Sequence, residues 1–126
     1  MSDLAIDQYH NVYILGYGVY ADTVDFDPGI GIANEILIGG SDFFIAKYDA
    51  DGNYLWSTLL HIISGSSFSS INRANTITVD ANQNVYIGGQ FDNKIQLNPA
   101  NVSLTITNPA GSNCNCTAGF MQNMIV

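Results

Sequence analysis

Asp49-Ala50-Asp51-Gly52-Asn53 sets two carboxylates and a carboxamide on alternate positions around a glycine, an oxygen-rich spacing of the kind calcium loops use. Loops of that kind close with a glutamate further on, whereas here Trp56-Ser57-Thr58-Leu59-Leu60 follows. The same Asp-x-x-x-Asn frame recurs from Asp7 to Asn11 and from Asp80 to Asn84 without the inner carboxylate. That recurrence reads as a turn whose aspartate hydrogen-bonds its own backbone. No metal site is expected on this reading, with Asp49, Asp51 and Asn53 as the calcium candidates should one exist.

Asp22, Asp25, Asp27 and Glu35 make a second acidic group. Asp25 and Asp27 flank Phe26 and share a face if the segment is a strand. Paired carboxylates can move protons or hold a metal. His10 falls in a turn and His61 at a strand end, and no Gly-x-Ser-x-Gly nucleophile motif accompanies them. Gly16, Gly18 and Gly39-Gly40 do not open a helix, so no phosphate-binding loop is formed. Cys114 and Cys116 lie two apart, which puts them on one side of a strand. A metal site needs further ligands, and no histidine is near them in sequence. They read as ordinary thiols or a local disulfide, with an intermolecular disulfide as the alternative. Tyr54 and Trp56 alternate about Leu55, as either core aromatics or a sugar-stacking pair. Asn101-Val102-Ser103 and Asn115-Cys116-Thr117 fit the N-glycosylation acceptor pattern, which matters only in a eukaryotic secretory pathway. No catalytic set and no cofactor site emerge, so the expectation is a protein that is not an enzyme.

Charge narrows the partners. Three basic and eleven acidic side chains give a formal net charge of −8. Lys47, Arg73 and Lys94 are scattered. Binding to a phosphate backbone draws on clustered Lys and Arg, because counterion release supplies most of the affinity. Nucleic acid and anionic membrane are therefore not expected as partners. The charged fraction of 11% is less than half the usual share of about 25%. Asn, Ser, Thr and Gly supply the polarity instead, which suits turns, strands and crowded contacts. No apolar run is long enough for a transmembrane helix. Met1-Ser2-Asp3 leads straight into Leu4-Ala5-Ile6, without a basic segment or a long apolar stretch of the signal-peptide kind. Export would then involve a mature or partial chain, or a route such as lysis or packaging in a virion.

The elements that must position these residues come from an internal repeat. Ile6-Asp7-Gln8-Tyr9-His10-Asn11-Val12-Tyr13-Ile14-Leu15-Gly16 matches Val79-Asp80-Ala81-Asn82-Gln83-Asn84-Val85-Tyr86-Ile87-Gly88-Gly89. Val24-Asp25-Phe26-Asp27-Pro28 corresponds to Ile95-Gln96-Leu97-Asn98-Pro99, and Phe43-Phe44-Ile45-Ala46 to Gly119-Phe120-Met121-Gln122. An insertion carrying both cysteines precedes the last match. Each Asp-x-x-x-Asn lies between two apolar stretches, the pattern of a β-hairpin. Asp51-Gly52 supplies the positive φ that tight hairpin turns want. Strands are predicted at 4–7, 11–17, 43–49 and 54–60, with short connector strands at 23–27 and 35–38. The second unit repeats them at 76–80, 84–91, 95–97, 104–107 and 119–126. Val12-Tyr13-Ile14-Leu15 and Phe43-Phe44-Ile45-Ala46 do not alternate, so sheets covered on both faces are expected.

Asn11-Val12-Tyr13-Ile14-Leu15-Gly16-Tyr17, Val24-Asp25-Phe26-Asp27-Pro28-Gly29, Asp42-Phe43-Phe44-Ile45-Ala46-Lys47-Tyr48-Asp49 and Asp51-Gly52-Asn53-Tyr54-Leu55-Trp56 together resemble the seven-bladed β-propeller repeat family. The likeness covers most of the chain. It is weaker in the second unit, where Asn98-Pro99 replaces Asp-Pro, and the turn glycine of the pattern is His10 in one copy and Gln83 in another. The resemblance implies a four-stranded blade, an extracellular or surface-associated protein and no shared catalytic residues. It also implies that the Asp25-Phe26-Asp27-Pro28 segment is a structural strand and turn.

The expected fold is all-β. It has two tandem propeller-type blades of antiparallel four-stranded sheets within a single repeat domain, residues 1–126. The first unit spans 4–63, a loop 64–75, and a second, incomplete unit 76–126. An unfinished blade offers an edge and a face to another chain. Head-to-tail contacts between copies then close into a ring or run on as a filament or tube. The expected function is structural: self-association into a larger assembly at the cell surface, outside the cell or on a virion. The residues expected to carry it are Leu4 and Ile6, the connector positions Val24, Phe26, Leu104 and Ile106, and the last strand with Phe120, Met121, Met124 and Val126. The alternative is a glycan- or protein-binding piece of a longer propeller.

Overall fold

The computed structural model describes residues 2–18, 23–37, 42–63, 73–90, 94–98, 104–107 and 117–122. Residues 64–72 of the expected 64–75 loop, both cysteines, Met124 and Val126 lie outside the described residues. All described regular structure is β, in antiparallel sheets.

Three Asp-x-x-x-Asn turns join three hairpins. β1 (Asp3–Ile6) turns into β2 (Val12–Gly18), β5 (Asp42–Tyr48) into β6 (Tyr54–Ile63), and β7 (Arg73–Val79) into β8 (Val85–Gln90). Short connector strands β3 (Thr23–Asp25) and β4 (Asn34–Ile36) pair with each other between β2 and β5. The corresponding β9 (Lys94–Asn98) and β10 (Leu104–Thr107) lie between β8 and β11 (Thr117–Gln122). β7 starts at Arg73, earlier than the expected strand at 76, and β6 runs on to Ile63.

β1-β2-β5-β6 are contiguous in one sheet, which continues through β9 and β10 to six strands. β11-β8-β7 form a second sheet of three. The two connector hairpins thus take different places. β3–β4 forms its own two-stranded sheet, while β9 adds to the free edge of β6, Leu60 opposite Leu97 and Ile62 opposite Ile95.

Register reveals the repeat at backbone level. Ile6 pairs with Val12 as Val79 pairs with Val85, and Leu4 with Ile14 as Ile77 with Ile87. On the other side, Val12 lies opposite Tyr48 and Val85 opposite Gln122. This corrects the alignment of the third strands. Phe43-Phe44-Ile45-Ala46 corresponds to Thr117-Ala118-Gly119-Phe120, two residues earlier than the sequence match suggests. A slip of two keeps each position on its face of the sheet, so hydrophobic pattern alone does not exclude it.

Side-chain alternation gives the first sheet two faces. The front carries Tyr13, Leu15, Phe43, Ile45 and Leu60, all buried. The back carries Leu4, Ile6, Val12 and Ile14 on β1–β2 and Phe44, Ala46 and Tyr48 on β5. The second sheet presents its own back, Ile77, Val85 and Ile87, to the front of the first, and these residues make one core. Back-on-front stacking buries the front of the first sheet, so β2 and β5 need no polar alternation there.

The β3–β4 hairpin covers the β5 half of the back. Phe26 is buried with its ring 4.8 Å from that of Phe44, and the Tyr48 hydroxyl donates to the Phe26 carbonyl at 2.9 Å. Phe44 fits because Gly16 across the strand pair has no side chain; a methyl there would strike the ring. Gly18 makes room for the buried Leu37 in the same way.

Candidate functional site

The three turns are built alike, atom for atom. In the first, Asp7 Oδ1 accepts the N–H groups of Tyr9 (2.9 Å) and Asn11 (3.0 Å), and Oδ2 accepts Asn11 Nδ2 (2.8 Å). Asp49 does the same with Asp51 N, Asn53 N and Asn53 Nδ2, and Asp80 with Asn82 N, Asn84 N and Asn84 Nδ2. Each turn reaches positive φ at one residue: His10 (64°), Gly52 (86°) and Gln83 (65°). Two of the three therefore hold a side chain in the left-handed region that glycine occupies at least cost.

The carboxylates pair electrostatically with these donors. The Asn53 and Asn84 side chains, with the turn N–H groups, hold Asp49 and Asp80 below the ordinary aspartate pKa. Burial pulls Asp7 upward, but the Asn11 side chain, the Asn11 and Tyr9 N–H groups and the Tyr13 hydroxyl outweigh it and the net shift is down.

Asp7 and Asp80 each accept one more bond on Oδ2, from Tyr13 (3.1 Å) and Tyr86 (2.9 Å). Among the described residues only Asp7 has a cation. Lys47 Nζ lies 3.7 Å from Asp7 Oδ2, stands 4.8 Å over the Tyr13 ring, and donates to Gln83 Oε1 at 2.8 Å. Burial and the Asp7 hydrogen bond push the Tyr13 hydroxyl well above the usual tyrosine range. Lys47, on β5, thus ties the first turn to the third. Further bonds cross between the units: Gln8 Nε2 to the Ala81 carbonyl (3.0 Å), and, to the Asp3 carboxylate, the Ile77 N–H (2.9 Å to Oδ2) and the Thr76 hydroxyl.

The other chemical candidates fall into structural settings. Both Asp49 oxygens are engaged in the turn, and Asp51 contributes its N–H to it. Among the described residues no group of three His, Cys, Asp or Glu is arranged to hold a metal. Asp25 Oδ1 accepts Asp27 N and Ala33 N, and Asp27 Oδ1 accepts Gly29 N, so this pair closes the β3–β4 connection. Gly31 approaches Asp27 so closely that a methyl would strike its carboxylate. Glu35 accepts from Ser57, which pairs with the Tyr54 hydroxyl. Trp56 packs edge-on to Tyr13 against the core. No described helix is long and apolar enough to cross a membrane.

The residues expected at an interface are scattered in their settings. Leu4 and Ile6 are exposed on the back of β1, Val24 is half-buried on β3, and Phe26 is buried within the chain. Leu104 and Ile106 sit on β10, the last strand of the six-stranded sheet, and Phe120 and Met121 on β11, the first of the three-stranded one. Sequence reading missed Val12 and Ile14, which complete a four-residue apolar face with Leu4 and Ile6. It also missed the Asp7–Lys47–Gln83 link. The i, i+2 geometry of a strand, applied to the continuous apolar run of β2, would have put Val12 and Ile14 on one face; nothing local in sequence joins Lys47 to Gln83. Comparison with protein-family models, curated proteins and solved structures yields no match.

Proposed function

We propose that this protein is a non-catalytic structural or interaction protein whose units behave as β-propeller-type blades. Copies associate into a larger ring, filament or tube outside the cell, at its surface or on a virion. The observation that carries the reading is the packing of the second unit's back on the first unit's front, with Ile77, Val85 and Ile87 against Tyr13, Leu15, Phe43 and Ile45. A surface that seals one unit onto the next can seal one chain onto another, because a repeat unit does not bury its own faces. The described aspartates at the turns are spent on backbone N–H groups, which fits scaffold better than acid–base chemistry.

The test is the mass of the purified chain by light scattering across a range of concentrations, with negative-stain images of the same sample. Rings or filaments, or a mass that climbs with concentration, support the reading. A well-folded monomer at high concentration overturns it.

A further inference from the structure

We infer that the back of the β1–β2 hairpin is a socket for the front of the β7–β8 hairpin of another copy, so that copies join head to tail by the contact that joins the two units within one chain. The inference rests on the self-association reading above and names its surfaces.

The first argument is positional. Leu4, Ile6, Val12 and Ile14 occupy the same register as Ile77, Val79, Val85 and Ile87. In the second unit these positions are the docked surface: Ile77 is 4% exposed, Val85 1% and Ile87 3%. In the first unit Leu4 is 47% exposed and Ile6 57%. The β3–β4 hairpin covers the β5 half of that back through Phe26 and Phe44 and stops there. The part left open is thus the part that its counterpart uses to dock.

The second argument fixes the partner face. Within the chain a back meets a front, and the front of the first unit is already taken. The front that remains belongs to the second unit: Thr78 opposite Tyr86, exposed, and Thr76 opposite Gly88, exposed at the edge where its hydroxyl also donates to Asp3 of the first unit. Back-on-front contacts are heterologous, so they propagate rather than stop at a pair, and close only if the rotation closes. The threonines make this front less apolar than its counterpart, so the joint between copies is weaker than the joint within the chain.

The third argument is polar. Inside the chain, Asp7 and Tyr13 face Gln83 across Lys47. On the open front, Asp80 and Tyr86 repeat the pair, but register puts Met121 where Lys47 stands. The incoming back brings His10 in place of Gln83, since both hold the positive-φ position of their turn. Where the lysine is lost, the carboxamide that accepted from it is exchanged for an imidazole that can donate to a carboxylate.

The experiment uses two blocked copies. Ile6→Glu spoils the back and leaves the front; Thr78→Arg spoils the front and leaves the back. Both sites are exposed, and thermal melting checks that each variant folds; Leu4→Asp and Thr78→Lys are the second pair if either does not. Each variant alone should be monomeric by light scattering under conditions where the unmodified chain assembles. An equimolar mixture should give a species of twice the chain mass and nothing larger. His10→Glu should weaken assembly by at least about tenfold and His10→Lys should not, because like charges placed across a contact are costly. If the unmodified chain assembles but the mixture stays monomeric, or Thr78→Arg alone still dimerises, the head-to-tail pairing is overturned while self-association stands. If the unmodified chain stays monomeric, both fall together.

Discussion

The β1–β2 and β7–β8 hairpins are one structure built twice in different surroundings. Register, turn hydrogen bonds and the Tyr–Asp pair are shared. What differs is the neighbour. The back of β7–β8 meets a front and becomes core, whereas on the back of β1–β2 Leu4 and Ile6 stay about half exposed. The Asp7 turn is roofed by Lys47 and Gln83, and the Asp80 turn has no lysine at the matching position. Burial in a repeat protein is therefore a property of the joint between units, and equivalent residues carry unequal energies.

The largest effect should separate Ile77 from Leu4. Ile77→Ala leaves a hole in the shared core and should cost about 3 kcal/mol, in the range of buried large-to-small substitutions. Leu4→Ala, at the same register position but half-exposed, should cost under about 1 kcal/mol. Urea unfolding of dilute, unassembled chain measures both. Equal losses would mean that the two backs are equally buried and the comparison is void.

Next comes the pair of aspartates. Asp7→Asn removes the counter-charge of the buried Lys47 and turns an acceptor of several N–H groups into a group that must also donate. Breaking one side of a buried ion pair this way should cost roughly 2–4 kcal/mol. Asp80→Asn strands no cation among the described residues and should lower the melting temperature less. A larger loss at Asp80 would sink the claim that Lys47 makes the first turn the critical one.

Acid should reveal the same residues together. Asp3, Asp7, Asp49 and Asp80 all lie below the ordinary aspartate pKa of 3.8 in the folded chain, Asp3 chiefly through the Ile77 N–H. A depressed carboxyl stabilises the fold fully above its unfolded pKa, and the contribution is lost as pH falls through the folded value. The melting temperature should be insensitive to these groups above about pH 5 and should fall steadily below about pH 4. Asp7→Asn should melt lower throughout but show a shallower acid limb. A parent melting temperature that holds from pH 5 to pH 2 would contradict the assigned shifts.

How far sequence led can be judged residue by residue. The turns were legible because the hydrogen bonds that close them run from Asp7, Asp49 and Asp80 to atoms within a few residues, so spacing alone encodes them. The strands were legible from apolar runs and the hairpin pattern. The third-strand match failed by two positions because nothing in Thr117-Ala118-Gly119-Phe120 anchors register, and a slip of two leaves the faces unchanged. That β9 would join β6, while β3–β4 closes over Phe44, was not legible either. Both are hairpins of the same spacing, and the choice lies in what edge or face is free beside them. The Lys47–Gln83 bond joins residues far apart in sequence and became visible only when the units were stacked.

The smallest effect sharpens the comparison furthest, because it opposes two residues with one backbone conformation. His10 and Gln83 both sit near φ 65°, where a Cβ is strained and glycine is not. Relief of that strain, less the entropy glycine adds to the unfolded chain, should make His10→Gly stabilising by about 0.5 kcal/mol. Gln83→Gly gains the same relief but deletes the acceptor of the Lys47 bond, so its net change should be close to zero or unfavourable. Gly52→Ala, the reverse exchange in the same turn, should cost about 1 kcal/mol. Chemical unfolding of the three variants beside the parent gives the comparison. If His10→Gly and Gln83→Gly gain alike, the Lys47–Gln83 bond contributes nothing and the two turns differ in sequence alone. If only His10→Gly gains, the strain at Gln83 is offset by a contact between units. His10 then holds the same strain with no such contact among the described residues of its own chain, as expected of a side chain whose partner lies on the next copy.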